Sequence, residues 1–318
     1  MHYRQLGQTD LTVSRICFGC WQLSPRFWGD VPLEPWEAAL NAALDAGVNF
    51  IDTADAYGNG HAETSLGAFL KREGLRDRFV LATKFFWNFT SGNGAVPDTR
   101  YDHILSACEA SLKRLQTDHI DLYQIHAHDP LTIPEEVGAA LLRLRREGKV
   151  RWFGVSNLNP EQMRAYGRYF PIDCLQPPYS LLDREIESHT LPYCLAETIG
   201  VIAYSPLFRG LLSGKYPADH VFSDSRGNAP LFKGEAFMRI NAGLDALRPI
   251  AESLDLSLAQ LAVRWVLRHP ALTCAIVGIK TPEHVTGIVK AAAAELPMER
   301  WHQVAGIMSK ARREALNV

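Results

Sequence analysis

The sequence predicts an α/β fold: eight parallel strands, each followed by a helix, closed into a barrel, with an N-terminal hairpin and extra C-terminal helices. Three observations predict it. A short apolar run followed by an amphipathic helical pattern repeats along almost all of the 318 residues, which is the signature of a parallel sheet with helical crossovers. The repeat occurs eight times, and eight strands close a barrel. The competing open sheet usually announces a dinucleotide site by GxGxxG after its first strand. Here the nearest string, Gly58-Asn-Gly60-His-Ala-Glu63, ends in Glu. With no linker and no low-complexity stretch, 1–318 reads as a single domain.

The elements follow in order. The segment before Arg15 reads as a small hairpin covering the barrel bottom. Residues 15–21 (RICFGCW) form the first strand. Trp36, Ala39, Leu40, Ala43 and Leu44 then recur at helical spacing and stop at Gly47, a good C-terminal glycine. Strands over 49–55, 79–85, 120–126, 150–156, 172–176, 201–207 and 274–279 complete the set. Helices are expected over 61–76, 101–115, 191–198, 235–254, 282–294 and 299–316. Others are marked by Val137, Ala140, Leu141 and Leu144, and by Leu258, Leu261, Ala262, Trp265 and Val266. Asn159-Pro160 opens one more, with an N-cap side chain and a proline at the first helical position. Two long connections, 87–100 and 208–234, follow strands. Both should therefore lie on the C-terminal rim, where barrels build their sites.

Charge and composition exclude several classes. With 33 basic and 35 acidic side chains the formal charge is −2. That argues against a sequence-independent nucleic-acid binder or a polybasic membrane-surface protein. Hydrophobic residues at 47% and charged residues at 21% are ordinary globular values. No charge-free apolar run is long enough for a bilayer, and the start MHYRQLGQTDL lacks a signal-peptide core. Six cysteines are sparse for this length, fitting reduced thiols in a cytoplasmic protein. Cys17 and Cys20 have CxxC spacing, but residues three apart on a strand face opposite sides. Asn88-Phe-Thr90 spells a glycosylation acceptor, which has no meaning in that compartment.

Inward strand positions in a barrel should be branched and apolar. Asp52 in FIDTAD, Lys84 in LATKF and His126 in YQIH break that rule near strand ends, and Tyr57 follows the second strand. By alternation Phe50 and Asp52 share a face, as do Ala82 and Lys84, and Leu122, Gln124 and His126. Neighbouring strands lie about 4.8 Å apart, so Asp52 and Lys84 can meet in the barrel mouth. A buried ion pair is a poor stabiliser, so its presence beside Tyr and His at the rim points to function. An ammonium stabilises a phenolate and lowers a tyrosine's pKa, a carboxylate fixes the ammonium, and a neutral histidine orients a substrate oxygen. Together they form a proton donor aimed at a carbonyl oxygen gaining charge. The carbonyl carbon must then receive a hydride, which only a cofactor can supply.

Phe50-Ile-Asp52-Thr-Ala-Asp-Ala-Tyr57-Gly58, Thr83-Lys84 and Gln124-Ile-His126 resemble the aldo-keto reductase superfamily. The likeness lies closest to its bacterial and potassium-channel β-subunit branch and covers nearly the whole chain. It implies a TIM barrel using NADPH, with NADH as the second possibility, that reduces small aldehyde or ketone substrates to alcohols. Tyr57 would be the general acid, Lys84 and Asp52 its tuners, and His126 the carbonyl orienter. The resemblance also implies cofactor contacts. Ser156, Asn157 and Gln176 would hold the carboxamide, and Tyr204 would stack on the nicotinamide. Ser205, Pro206, Leu207, Gly210 and Lys215 would form the pyrophosphate loop. Gly278, Lys280 and His284 would take the adenosine end, with Lys280 on the 2′-phosphate. Gly287 and Ile288 depart from the acid and asparagine that relatives commonly place against adenine. Arg226, in a long loop, is either a replacement phosphate contact or a solvated residue. Among the rim residues Trp21, Trp28, Trp87 and Asn88, the substrate pocket is assigned to Trp21 and Trp87. The family implies a monomer or weak homo-oligomer with no membrane or nucleic-acid partner.

Two rivals remain. His126-Ala-His128 has the HxH spacing of metal-dependent barrel hydrolases, but those carry it on the first strand, with further histidines and an aspartate on later strands that this chain lacks. A regulatory, non-catalytic binder like the channel β-subunits is the other, and the intact tetrad argues against it. No metal is expected.

Overall fold

A computed structural model describes residues 1–89 and 95–317. Eight strands close a parallel barrel in chain order. They are β1 (Ile16–Gly19), β2 (Phe50–Asp52), β3 (Val80–Phe85), β4 (Ile120–Ile125), β5 (Val150–Ser156), β6 (Cys174–Gln176), β7 (Gly200–Ala203) and β8 (Leu272–Gly278). The ring shuts where β8 pairs with β1, Ala275 lying opposite Ile16 and Gly278 opposite Gly19. The helices that follow them are α1 (Leu33–Asp45), α2 (His61–Glu73), α3 (Tyr101–Leu115), α4 (Pro134–Arg146), α5 (Pro160–Tyr166) and α6 (Thr190–Ala196). Then come α7 (Gly234–Ser253), α8 (Leu258–Arg268), α9 (Pro282–Val289) and α10 (Met298–Leu316).

The helices form for the reasons their sequences suggest. In α3 the buried residues Ile104, Ala107, Cys108, Ser111, Leu112 and Leu115 recur at three- and four-residue spacing, one face against the sheet. The start of α5 is a capping box, with the Asn159 side chain accepting from Gln162 N–H and Gln162 returning the bond. Ser257 and Gln260 do the same for α8.

Two layers fill the barrel. Cys17, Phe50, Ala82, Leu122, Cys174, Ile202 and Cys274 form an apolar cluster with Leu6, Leu11 and Val13 from the N-terminal hairpin. That hairpin pairs Tyr3–Gln5 with Thr12–Ser14 and plugs the bottom. Cys20 belongs to the outer core, so Cys17 and Cys20 face opposite sides, and all six thiols are free and buried. Above the apolar layer the same strand faces continue into Asp52, Lys84, Gln124 and Gln176.

β3, β5 and β6 end at the mouth where expected, but β2 and β7 stop short. β2 ends at Asp52, although Thr53 and Asp55 N–H still bond Ala82 O and Lys84 O. β7 ends at Ala203, because Ser205, Phe208 and Arg209 turn at φ of 56°, 45° and 55°. The 87–100 connection carries a short antiparallel pair, Trp87–Asn88 with Val96–Pro97. Its residues 90–94, including Thr90 of the acceptor motif, lie outside the described residues. Among the described residues, no helix is long and apolar enough to cross a membrane.

Candidate active site

Strand alternation stacks Asp52 above Phe50 and Lys84 above Ala82, and the two meet across the mouth. Lys84 Nζ donates to Asp52 Oδ2 at 2.7 Å, to the Thr53 carbonyl at 2.8 Å and to Tyr57 Oη at 3.2 Å. The ammonium thus spends its three protons on three acceptors, with its side chain wholly buried and Asp52 2% exposed. Burial opposes the charge on Lys84, but Asp52 and Tyr57 outweigh it and hold the group above the ordinary lysine range.

The other carboxylate oxygen of Asp52 is held as well. Gln176 Nε2 donates to Asp52 Oδ1 at 2.8 Å and Gln124 Nε2 donates at 3.3 Å. Gln124, which shares a face with His126 and belongs to the Gln124-Ile-His126 motif, is also an Asp52 partner, a role that the period of two makes accessible from the sequence. Gly154 makes room for it, since a Cβ there would lie 2.8 Å from Gln124 Cγ.

Tyr57 stands on the loop after β2. The turn needs φ of 63° at Gly58 and 86° at Gly60, conformations that favour glycine. Tyr57 N–H donates to Ala54 O, and its carbonyl accepts from Ala62 N–H at the start of α2. The expected acidification of the phenol is not the net outcome. Burial raises it, Lys84 pulls the other way, and the result is pushed up to about 12. The lysine therefore lowers the phenol only relative to what burial alone would impose. At neutral pH Tyr57 holds its proton, the form a general acid needs.

His126 meets Tyr57 edge to face, with ring centroids 6.1 Å apart. Burial and the Lys84 charge lower the imidazole to about 3, so it is neutral. Its Nδ1 meets no partner among the described residues. The four tetrad residues thus converge on one end of the barrel, with a protonated phenol and a neutral imidazole side by side.

The expected cofactor residues form a chain along the same rim. Ser156 Oγ donates to Gln176 O at 2.8 Å, and Asn157 Nδ2 donates to His126 O at 3.1 Å and to Ser156 Oγ at 3.0 Å. Tyr204 Oη donates to Asn157 Oδ1 at 2.9 Å. Beyond Ser205, Pro206 and Leu207, the turn closes with Gly210 N–H on Leu207 O. Lys215 Nζ lies 4.9 Å from the Tyr216 ring centroid. At the end of β8, past Gly278, Lys280 Nζ lies 5.2 Å from the Trp28 ring centroid. Burial, Lys215 and Arg226 lower the Lys280 ammonium, and His284 Nδ1 accepts from Lys280 N–H at 3.3 Å. Past His284 in α9, a side chain at Gly287 would meet open space, and Ile288 is buried.

Arg226 is not a solvated residue. Its head pairs with Asp224 at 2.7 Å, donates to Tyr216 Oη at 2.7 Å and lies 4.7 Å from the Phe222 and 5.7 Å from the Trp28 ring centroids. Trp28, which carries no pocket assignment in the sequence, faces both Arg226 and Lys280. Trp21 packs on Trp28 and Phe27 at 5.3 and 5.4 Å, whereas Trp87 packs on Phe86 at 4.8 Å, so the two pocket candidates lie in separate aromatic clusters. His126 and His128 gain no third ligand: among the described residues no three His, Cys, Asp or Glu side chains converge as a metal site.

Comparison with known proteins adds three findings. The model of the aldo/keto reductase family matches residues 15–309. The chain is 37% identical to the aldo-keto reductase YhdN of Bacillus subtilis (strain 168), over 89% of this chain and 86% of that one. It is 32% identical to the NADH-specific methylglyoxal reductase of Escherichia coli (strain K12), over 88% and 90%. Among solved structures, the glycerol dehydrogenase of Gluconobacter oxydans superimposes with a TM-score of 0.90 at 34% identity, covering 97% of this chain and 95% of that one.

Proposed function

This chain belongs to the aldo/keto reductase family and is an oxidoreductase, and from that premise we propose that it reduces aldehyde or ketone carbonyls to alcohols with a nicotinamide dinucleotide, Tyr57 giving the proton. The observation that carries the reading is Lys84 fixed between Asp52 and the Tyr57 hydroxyl inside the mouth. The single domain, the site roles and the NADPH preference are part of the same proposal.

The residues fit a dinucleotide. Lys215, Arg226 and Lys280 bring positive charge within range of one another, and burial with the other two cations holds Lys280 below its usual range. Such a group is relieved by a polyphosphate. Two buried polar atoms nearby, Trp28 Nε1 and Gln22 Oε1, meet no partner among the described residues. The 2′-phosphate of NADPH suits Lys280, and we favour NADPH for that reason; the Escherichia coli relative is named NADH-specific. Ser156, Asn157 and Gln176 would hold the carboxamide and Tyr204 would stack on the ring.

When bound, the reduced nicotinamide supplies the hydride to the carbonyl carbon. The protein's part is orientation and proton supply. His126, neutral, donates a hydrogen bond to the substrate oxygen and turns it toward Tyr57. As charge grows on that oxygen, Tyr57 releases its proton, and Lys84 steadies the phenolate that remains. Asp52, tied by two glutamine amides, keeps Lys84 in place. The aromatic rim at Trp21, Trp28 and Trp87 suits an apolar or aromatic aldehyde. The test is oxidation of NADPH by purified protein with 4-nitrobenzaldehyde, run beside NADH. Turnover with product alcohol supports the reading, and binding of NADPH without turnover of any carbonyl overturns it.

A further inference from the structure

A buried carboxyl two residues before Tyr57 has no part in the steps above. Asp55 is 5% exposed. Its main chain joins the tyrosine's loop to the lysine's strand: Asp55 N–H donates to Lys84 O at 3.3 Å, and Asp55 O accepts from Gly60 N–H at 2.7 Å. Tyr57 sits inside the loop those bonds close. The side chain sits among polar groups from four elements. Glu63 of α2, Arg114 of α3 and Lys84 of β3 act on it electrostatically, and it acts in turn on Tyr123 of β4.

None of those groups is free to neutralise a carboxylate at this position. Arg114 is committed to Glu63, Nη2 to Oε2 at 2.6 Å, and the other Glu63 oxygen accepts from Thr83 Oγ1 at 2.5 Å. Lys84 is committed to Asp52, Thr53 and Tyr57. Asp55 Oδ1 and the Tyr123 hydroxyl both lack a partner among the described residues. The Ala56 N–H of the same turn lies beside the carboxyl, and Arg114 and Lys84 pull on it from farther off. A buried charge with no counter-ion is far costlier than a buried neutral acid. Burial and the like charge of Glu63 push this carboxyl well above the usual range.

We propose that Asp55 is an uncharged carboxylic acid that positions Tyr57 over Lys84. A neutral side chain fixes the Ala56 turn without competing for the lysine, so the whole field of Lys84 is left for Asp52 and the phenol. The kinetic consequence rests on the reduction proposed above; the protonation and the tyrosine's position do not.

Infrared spectra at pH 7 test the charge state. Wild type should show a protonated-carboxyl band that shifts in deuterated water and is missing from Asp55→Asn; a band unchanged by that substitution overturns the proposal. Tyrosine ring NMR, with the Tyr57 signal assigned by its loss in Tyr57→Phe, tests the positioning without turnover. Asp55→Asn, isosteric with the neutral acid, should leave that signal in place, and Asp55→Ala should move it, with Asp55→Ser standing in should alanine not fold. Movement in Asp55→Asn, or none in both truncations, overturns it. In turnover, Asp55→Asn should stay within about threefold of wild-type kcat with an unshifted pH profile. Asp55→Ala should lose about tenfold to a hundredfold in kcat with NADPH affinity unchanged, the range expected from misplacing a reacting group. If wild type turns over no carbonyl, the reduction reading falls while the infrared and NMR outcomes still decide this one.

Discussion

Replacing Lys84 by methionine tests the site's electrostatics and its stability together. The substitution keeps the volume and removes the charge that Asp52, Thr53 O and Tyr57 share at 2.7, 2.8 and 3.2 Å. Among the described residues, Asp52 is then a buried carboxylate held by two glutamine amides alone. Removing one partner of a buried ion pair costs about 3–5 kcal/mol. At ~2.1 cal/mol/K of unfolding entropy per residue, 318 residues convert that into a fall of about 4–7 °C in Tm. Asp52→Asn alone leaves the ammonium uncompensated and should fall comparably. The double variant Lys84→Met/Asp52→Asn should regain most of the loss, a coupling well above the ~0.5 kcal/mol of independent sites. Catalysis should not recover. The phenol already stands at about 12 with Lys84 pulling it down, each further unit costs ~1.4 kcal/mol, and loss of a positioned acid typically removes 10²–10⁴-fold in rate. The assay is thermal unfolding beside NADPH-dependent reduction of 4-nitrobenzaldehyde for all four proteins. Additive Tm changes, or Lys84→Met within tenfold of wild-type kcat, would refute the reasoning.

Three further outcomes are expected. Lys280→Ala should weaken NADPH at least tenfold more than NADH in a fluorescence titration; equal weakening would put the 2′-phosphate elsewhere. The rate of reduction should show no ionisation near pH 6.5, because His126, lowered to about 3, is neutral throughout, and should fall only as alkaline pH removes the Tyr57 proton toward about 12. A limb near 6.5 would make an imidazolium the acid instead. The same shift has a sign for stability: His126 binds its proton less readily folded than unfolded, so its contribution is complete above about pH 6.5 and is lost as pH falls toward 3. Acid unfolding of His126→Phe should show a shallower pH dependence over that window, and an unchanged slope would contradict the burial argument.

The legible part of the site was the part that obeys a period. Asp52 and Lys84 stand where alternation from Phe50 and Ala82 puts an inward side chain, and a charge there has no packing reason. Gln124 and Gln176 obey the same period, but amides in a strand carry no alarm until their carboxylate is seen between them. Tyr57 lies off the strands, so alternation does not place it; the chemistry of a phenol beside an ammonium and the motif resemblance both point to its role, and the loop geometry depends on Gly58 and Gly60. The sign of its net shift was not readable, because it is set by burial, a property of the whole fold. Arg226 was unreadable for the opposite reason: its loop folds on itself, and Tyr216, Phe222 and Trp28 gather around a guanidinium that looks solvated in one dimension. The apolar pattern extends the seventh strand through 204–207, but left-handed φ at Ser205, Phe208 and Arg209 takes the chain out of the barrel there.

The central claim is that one phenol, protonated and held by Lys84, delivers the proton. Tyr57→Phe deletes only that hydroxyl, so NADPH binding and aldehyde turnover measured on one sample test it most directly. We expect an unchanged NADPH affinity and a kcat at least a hundredfold lower; turnover within a few-fold of wild type would contradict it.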